Sequence, residues 1–374
     1  MGKQKRFEIS FLEKILKIYS PPGKEERLSQ LIANGMKELG FHHVRIDEVN
    51  NVFGEVGSGE PTILLAGHMD TIPGWRPVKI TGRLIYGRGA VDAKSALAAM
   101  IMAAHKLSDS RMKGKVVVGA LVDEEGNGTG IKHFVRSKPR VDYAIFGEPS
   151  GVDNITIGYK GSIDLSLSCE TAPAHASAPW RTRNAVAELM RVYNAIEEYS
   201  QTMKVKGDAY HSVTTCLTQI SGGTAHNVVP GKCSARVDVR VPSPISSASL
   251  LSELERLIQR YRSDEINLRV QVKDITEPFE VDKASAVVRA MVRAILQVRR
   301  KTPRLLRKTG TGDMNVLGRA LKVPVTTYGP GDSHLSHTTD ERISADDYLA
   351  SIEVYQAAVL NLIKFHKTKQ GERT

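Results

Sequence analysis

Cysteine is scarce in this sequence, aromatic residues are few, and long apolar runs are missing. The three cysteines, Cys169, Cys216 and Cys233, include no closely spaced pair, so neither a disulfide framework nor a thiolate metal site is expected. No run of about 18 apolar residues occurs, which argues against a membrane-spanning helix. The basic opening, MGKQKRFEIS, has no apolar stretch behind it. No secretory signal is therefore expected, and the chain reads as cytoplasmic. Aromatics make up only 6% of the residues, and no motif of a nucleic-acid reader is present. Acidic side chains number 41 against 52 basic ones, a net charge of +11. Such a surplus favours an acidic partner. With nucleic acid set aside, an acidic protein or an acidic small substrate remains.

What is present is globular. Hydrophobic residues make up 41% and charged residues 25% of 374 positions, which suggests about two domains. Apolar residues at three- and four-residue spacing predict helices over 7–19 and 24–39. The runs at 62–66, 115–122 and 142–146 are apolar without alternation, as in strands buried on both faces. A helical stretch at 95–107 separates the first two. Together they predict an α/β domain with a mostly parallel sheet. From residue 160 the texture changes. Segments 162–168, 234–241 and 266–272 alternate, and helical stretches lie at 183–199 and 247–262. This predicts an inserted α+β domain of ferredoxin-like type. After Pro278 the α/β texture returns, with helices at 284–298 and 345–366. The expected organisation is a catalytic domain from 1–159 and 277–374, with 160–276 as a lid or dimerisation domain.

Chemically loaded residues cluster where the buried strands end. His68 and Asp70 follow the first run, Glu124 and Glu125 the second, and Glu148 the third, while Asp92 opens the helix at 95. Ligands of open parallel sheets bind at the carboxyl ends of strands. Taken singly each has an ordinary explanation, Asp92 for instance as a helix N-cap. Taken together, converging carboxylates repel unless cations neutralise them. Oxygen and imidazole donors without thiolates suit Zn²⁺, Mn²⁺ or Co²⁺. One carboxylate can bridge two ions about 3.5–4 Å apart. A second imidazole is offered by residues 329–341, GPGDSHLSHTTDE, which contain His334 and His337.

These motifs, in this order and over nearly the whole chain, resemble the M20 metallopeptidase family. That family includes acetylornithine deacetylase, succinyl-diaminopimelate desuccinylase and glutamate carboxypeptidase. The resemblance implies an amidohydrolase with two divalent metal ions, Zn²⁺ first, with Co²⁺ able to substitute. GHMDTIP implies His68 as a metal ligand oriented by Asp70. GRGAVDAK implies Asp92 as the bridging carboxylate. DEEGNGTG implies Glu124 as general base and Glu125 as ligand, and GEPS implies Glu148 as ligand. SHTTDERI implies His337 as the last ligand, with His334 on the same loop as its competitor. PAHASAPWRTRNAV resembles the family's lid segment, so His175 is the imidazole expected to reach the partner subunit's site in a homodimer. Asn227 and Arg240, in GGTAHNVVPGKCSARVDVR, are expected to bind substrate. So is the loop Thr309, Gly310 and Thr311, where amides beside glycine can form an anion nest.

Within the family, the short chain, KTGTGDMN and GPGDSHLSHTTDERIS resemble one branch most. That branch releases lysine or ornithine from the C-terminal glutamate side chain of a small, acidic amino-group carrier protein, in lysine and arginine biosynthesis. Such a partner would account for the +11 charge without nucleic acid or membrane. The basic run Arg299, Arg300, Lys301, Arg304, Arg307 and Lys308 would face it, or would be a solvated helix end. The alternative is a deacetylase or desuccinylase acting on a small molecule. A homologue without catalysis would lack Glu124 or a metal ligand, and none is missing.

Overall fold

A computed structural model describes residues 3–108 and 112–371. By internal contacts the chain divides into two units. One comprises Met1–Gly158, Val281–Leu306 and Gly312–Thr374, and the other Tyr159–Glu280 and Arg307–Thr311. The short stretch 307–311, expected with the larger domain, falls in the smaller unit.

The larger unit is built on a mixed sheet. The strand Val52–His68 is interrupted near Gly59, where it is exposed. Its two halves run along opposite sides of the strand Lys113–Leu121. Val52 lies opposite Ala120 and Val56 opposite Val116, descending, whereas Thr62 pairs with Lys115 and His68 with Leu121, ascending. The second half is thus parallel to Lys113–Leu121. It is also parallel to Tyr143–Gly147, which is parallel in turn to Val325–Tyr328. Four strands therefore finish at one edge. The outer half pairs antiparallel with His42–Ile46. Val, Ile and Leu fill the central strands, and both faces are covered: Ile63, Leu64, Leu65, Val116 and Ile145 are fully buried.

One covering element is the helix Lys94–Ser108, KSALAAMIMAAHKLS. Twelve of its residues are buried, on every side. Ala, Leu and Met favour helix strongly, and an apolar surface all round suits a helix enclosed by its neighbours. Among the described residues no helix is long and apolar enough to cross a membrane.

The smaller unit shows the alternation read in the sequence. Gly161–Glu170 buries every second residue, and Lys232–Val241 does so nearly throughout. Ile163, Leu165, Leu167, Val237 and Val239 meet Leu189, Ile196, Leu250 and Leu254 from two helices, Ala185–Gln201 and Ser247–Gln259. Asn184 and Ser246 cap those helices, accepting from Val186 and Ala187 amides and from the Ser249 amide. The antiparallel order is Thr214–Gly222, Lys232–Val241, Gly161–Glu170, Asn267–Thr276. With a helix after the first and third strands in chain order, this is ferredoxin-like topology. The sequence order required a fourth strand but did not locate it. Thr214–Gly222 is polar and largely exposed at the sheet edge, so no buried face marks it.

Candidate metal centre

The parallel strand ends place the acidic and imidazole side chains together. His68 closes its strand and is 2% exposed. Its Nε2 lies 3.3 Å from Asp92 Oδ1 and 3.9 Å from Glu148 Oε1. Its Nδ1 lies 3.0 Å from the Asp70 carbonyl oxygen and 3.6 Å from Asp70 Oδ1. His337 Nε2 lies 2.9 Å from Glu125 Oε1 and 3.4 Å from Asp92 Oδ2. Asp92 thus faces one imidazole with each oxygen. His68, Asp92 and Glu148 form one group of donors that all lie within 4.8 Å of one another, and Asp92, Glu125 and His337 another. His68, Glu124 and Glu125 form a third such group. His334 is exposed and joins none of the three.

Asp70 is fully buried and sets this arrangement from beneath. Its two oxygens accept the backbone N–H groups of Glu124 at 3.1 Å and Glu125 at 2.9 Å. Asp70 therefore orients both, its carboxylate the Glu124–Glu125 backbone and its carbonyl oxygen, 3.0 Å from Nδ1, the His68 ring. Asp123 and His337 hold φ of 60° and 64°, a left-handed conformation uncommon for residues with side chains and frequent at functional loops. The Asp92–Ala93 peptide is cis.

The electrostatics follow from burial and crowding. Burial alone would lower His68, but the Asp70 and Asp92 carboxylates hold it well above the usual histidine range. The Asp92 hydrogen bond outweighs burial at His337, which with Glu125 is pushed up to about 9. Burial would raise Asp92, yet the two imidazoles bring it down. Burial and the neighbouring Glu148 charge drive the Glu124 carboxyl well above its ordinary value. Burial raises Glu125 as well. Each Nε2 faces two carboxylates, His68 those of Asp92 and Glu148 and His337 those of Glu125 and Asp92, the surroundings a divalent cation has in an oxygen and imidazole site. The donor set fits two metal ions.

Other residues at the centre were not singled out by sequence reasoning. Asp313 is 6% exposed. Burial pushes its carboxyl up to about 8, with His68 opposing and Glu148 and Asp70 adding. Lys94 is 1% exposed and donates to the Ile18 carbonyl at 2.7 Å; burial lowers its ammonium to about 7 against the Asp70 and Glu341 charges. Glu341 and Arg88, both buried, pair at 2.7 Å. Both stand inside motifs quoted above, but nothing in their spacing announces a contact across 253 positions.

The smaller unit carries the remaining candidates. His175 is exposed in a two-residue strand opposite Val228. Its Nδ1 lies 2.7 Å from Ser177 Oγ and 3.2 Å from the Ser177 amide, so that side of the ring is held within its own turn. The Asn227 carbonyl accepts from the Ala176 amide at 2.8 Å, so His175 and Asn227 share one ribbon. Arg240 donates to Asp238 Oδ2 from Nε at 3.2 Å and from Nη2 at 2.7 Å. None of residues 309–312 has positive φ. An amide nest alternates right- and left-handed residues, so this loop does not form the expected nest. The basic run is likewise not one solvated helix end. Arg299 and Lys301 each lie 2.7 Å from Asp153, and Arg307 lies 2.6 Å from Glu280. Arg300 and Arg304 are exposed.

The chain is similar to known proteins along most of its length. Residues 64–361 match the pattern of peptidase family M20/M25/M40. The chain is 35% identical over 360 residues to a LysW-lysine/LysW-ornithine hydrolase of Saccharolobus solfataricus, covering 96% of each. An M20-family metallo-carboxypeptidase from Sulfolobus solfataricus superposes with a TM-score of 0.80 at 19% identity, covering 97% of this chain and 99% of that one. A dinuclear metal-binding M20 peptidase from Bacillus subtilis does so at 0.73 and 14% identity, covering 96% and 98%.

Proposed function

The chain belongs to peptidase family M20/M25/M40, and from that premise we propose that it is a two-metal amide hydrolase releasing lysine or ornithine from the C-terminal glutamate side chain of an acidic amino-group carrier protein, in amino-acid biosynthesis. One observation carries the reading: likeness over nearly the full length to a hydrolase named for that substrate, in a chain whose strand ends hold a full set of metal donors.

His68, Asp92 and Glu148 hold one cation and Asp92, Glu125 and His337 the other, with Zn²⁺ suited and Co²⁺ able to substitute. Bound there, the pair supplies Lewis acidity toward the scissile carbonyl and the attacking water. Glu124 takes the proton from that water and delivers it to the leaving amine, a general base turned acid. Asp70 keeps the Glu124 backbone and the His68 ring in place. His175 supplies its Nε2–H to the oxyanion, reaching the partner subunit's site in a homodimer. The exposed edge strand Thr214–Gly222 supports such an interface, since an unpaired edge seeks a partner. Asn227, Arg240 and Thr309–Thr311 would bind substrate.

The subunit arrangement has a direct check. Mixed His175→Ala and Glu124→Gln subunits, each nearly inactive, should regain activity on exchange. A monomeric mass by light scattering would contradict the arrangement.

Carrier recognition is tested by salt. A summed field of +11 can raise association with an acidic protein by roughly 10–10³-fold. Screening tightens to about 8 Å near physiological ionic strength. For carrier-linked lysine, kcat/KM should fall steeply with added salt, and much less for a small acetylated amino acid. Reversing Arg300 and Arg304 to Glu should reproduce high salt for the carrier alone. These two are chosen because Arg307 is committed to Glu280. Equal salt slopes would favour a small-molecule deacetylase or desuccinylase.

A further inference from the structure

We propose that Glu341 is a positioning residue of the metal centre. Together with Arg88 it fixes the loop bearing Asp92 in register with the loop bearing His337. The inference rests on the ligand assignment above, in which Asp92 is shared and His337 completes the second ion's shell.

The register begins in a small antiparallel ladder. Leu84–Tyr86 pairs with Arg342–Ser344, with Tyr86 opposite Arg342. One step further the Gly87 amide donates to the Glu341 carbonyl at 3.2 Å. Two loops leave this point together, one forward to Asp92 and one backward to His337.

The Glu341 side chain then ties the first loop down. Its Oε1 accepts the amide N–H groups of Gly89 at 2.9 Å, Val91 at 2.9 Å and Asp92 at 3.1 Å. Its Oε2 accepts from Arg88 Nη1 at 2.7 Å. Arg88 Nη1 also donates to the Thr338 carbonyl at 3.3 Å, next to His337, and Arg88 Nε donates to the Gly74 carbonyl at 3.2 Å. Glu341 is 3% exposed and Arg88 7%. Hydrogen bonds to an ionised acceptor are the strong ones, and buried amides left without an acceptor are costly.

The loop makes one bond of its own, from the Ala90 amide to the Gly87 carbonyl at 3.1 Å, and leaves the Gly89, Val91 and Asp92 amides to Glu341. Gly89 has φ of 87°, and a Cβ there would lie 2.7 Å from Lys94 Cδ. With no side chain at that turn, the path from Gly89 to Asp92 depends on an acceptor supplied from elsewhere. A buried ion pair is weak support for stability as such, because apolar residues of equal volume often do as well. A carboxylate aimed at the amide of the shared ligand does what an apolar residue cannot: it fixes the direction from which Asp92 meets both imidazoles.

The test uses Co²⁺ alone as probe, on purified full-length E341Q, E341A and R88M, with thermal melts to establish folding. Loss of an outer partner typically weakens metal binding by about 10–100-fold. E341A and R88M should weaken Co²⁺ by that much and change its visible absorption bands. E341Q should fall between, since its amide oxygen still accepts from the loop while its NH₂ faces Arg88. On a turned-over substrate, kcat should drop while KM stays near the wild-type value. In a D92N background, E341A should add almost nothing to the loss of Co²⁺ affinity, because coupled sites are non-additive. If E341A fails to fold, E341Q and R88M decide. Folded variants that bind two Co²⁺ with wild-type affinity and spectrum would overturn the proposal, and so would full additivity with D92N. Wild-type protein that binds no Co²⁺ would overturn the ligand assignment and this inference with it. Failure on carrier-linked substrate alone would touch only the proposed function.

Discussion

Glu124→Gln is expected to lower kcat by about 10²–10⁴-fold, the usual worth of a general base, with KM, fold and metal content preserved. Gln is isosteric and keeps the backbone amide that donates to Asp70 at 3.1 Å. What it loses is the ability to accept a proton. Burial and the Glu148 charge already push the Glu124 carboxyl upward, so this group prefers the protonated state more than a surface glutamate does. That suits a residue that must hold a proton between attack and departure of the amine. Metal content is the discriminating readout, because Glu124 also falls within a possible donor group with His68 and Glu125. If Glu124→Gln loses a metal ion, Glu124 is a ligand and the base lies elsewhere. Near wild-type turnover at saturating metal would remove it from the mechanism.

Asp92→Asn should have the other large effect. Asp92 pairs with both imidazoles, at 3.3 Å and 3.4 Å, so its loss weakens both ion sites at once. Metal content should fall from two ions to one or fewer, and turnover should fall by more than the about 10–100-fold typical of an outer-shell partner. The same residue governs the pH dependence of metal uptake. In the metal-free protein Asp92 helps hold His337 at about 9, and cation binding must expel that proton. The sign follows: apparent metal affinity rises with pH toward about 9 and weakens as pH falls, over a wider range than an ordinary imidazole would impose. In Asp92→Asn the raising carboxylate is gone, so the imidazole protons leave at lower pH. NMR titration of the metal-free proteins measures this. An unchanged His337 titration would contradict the geometry around Asp92.

The parts of the fold legible in the sequence are those in which burial is continuous or strictly alternating. Residues 115–122, KVVVGALV, could only be a strand enclosed on both faces, and Gly161–Glu170 shows its inward face at every second position. Placing His68, Glu124, Glu125 and Glu148 at one edge needed only the rule that parallel strands end together. The outer half of Val52–His68 was not legible, because Gly54, Gly57 and Gly59 and exposed Ser58 and Glu60 break its pattern. The edge strand Thr214–Gly222 carries no apolar face to read. Glu341 and Arg88 were hidden for another reason. Their partners are backbone amides and a side chain some 250 positions away, and hydrogen bonds to backbone leave no periodicity. Only resemblance to the closing family motif favoured His337 over His334, two imidazoles three positions apart on one loop. The left-handed turn at His337 aims that ring inward, and backbone handedness at a non-glycine residue is invisible in sequence.

One assay addresses the substrate directly. Purified protein loaded with Zn²⁺ or Co²⁺ is offered carrier-linked lysine, carrier-linked ornithine, acetylornithine and succinyl-diaminopimelate side by side, and kcat/KM is measured for each. One or both carrier-linked substrates should be hydrolysed with by far the highest kcat/KM, the free amino acid appearing as product. Faster turnover of either small molecule than of both carrier-linked forms would contradict the proposed substrate.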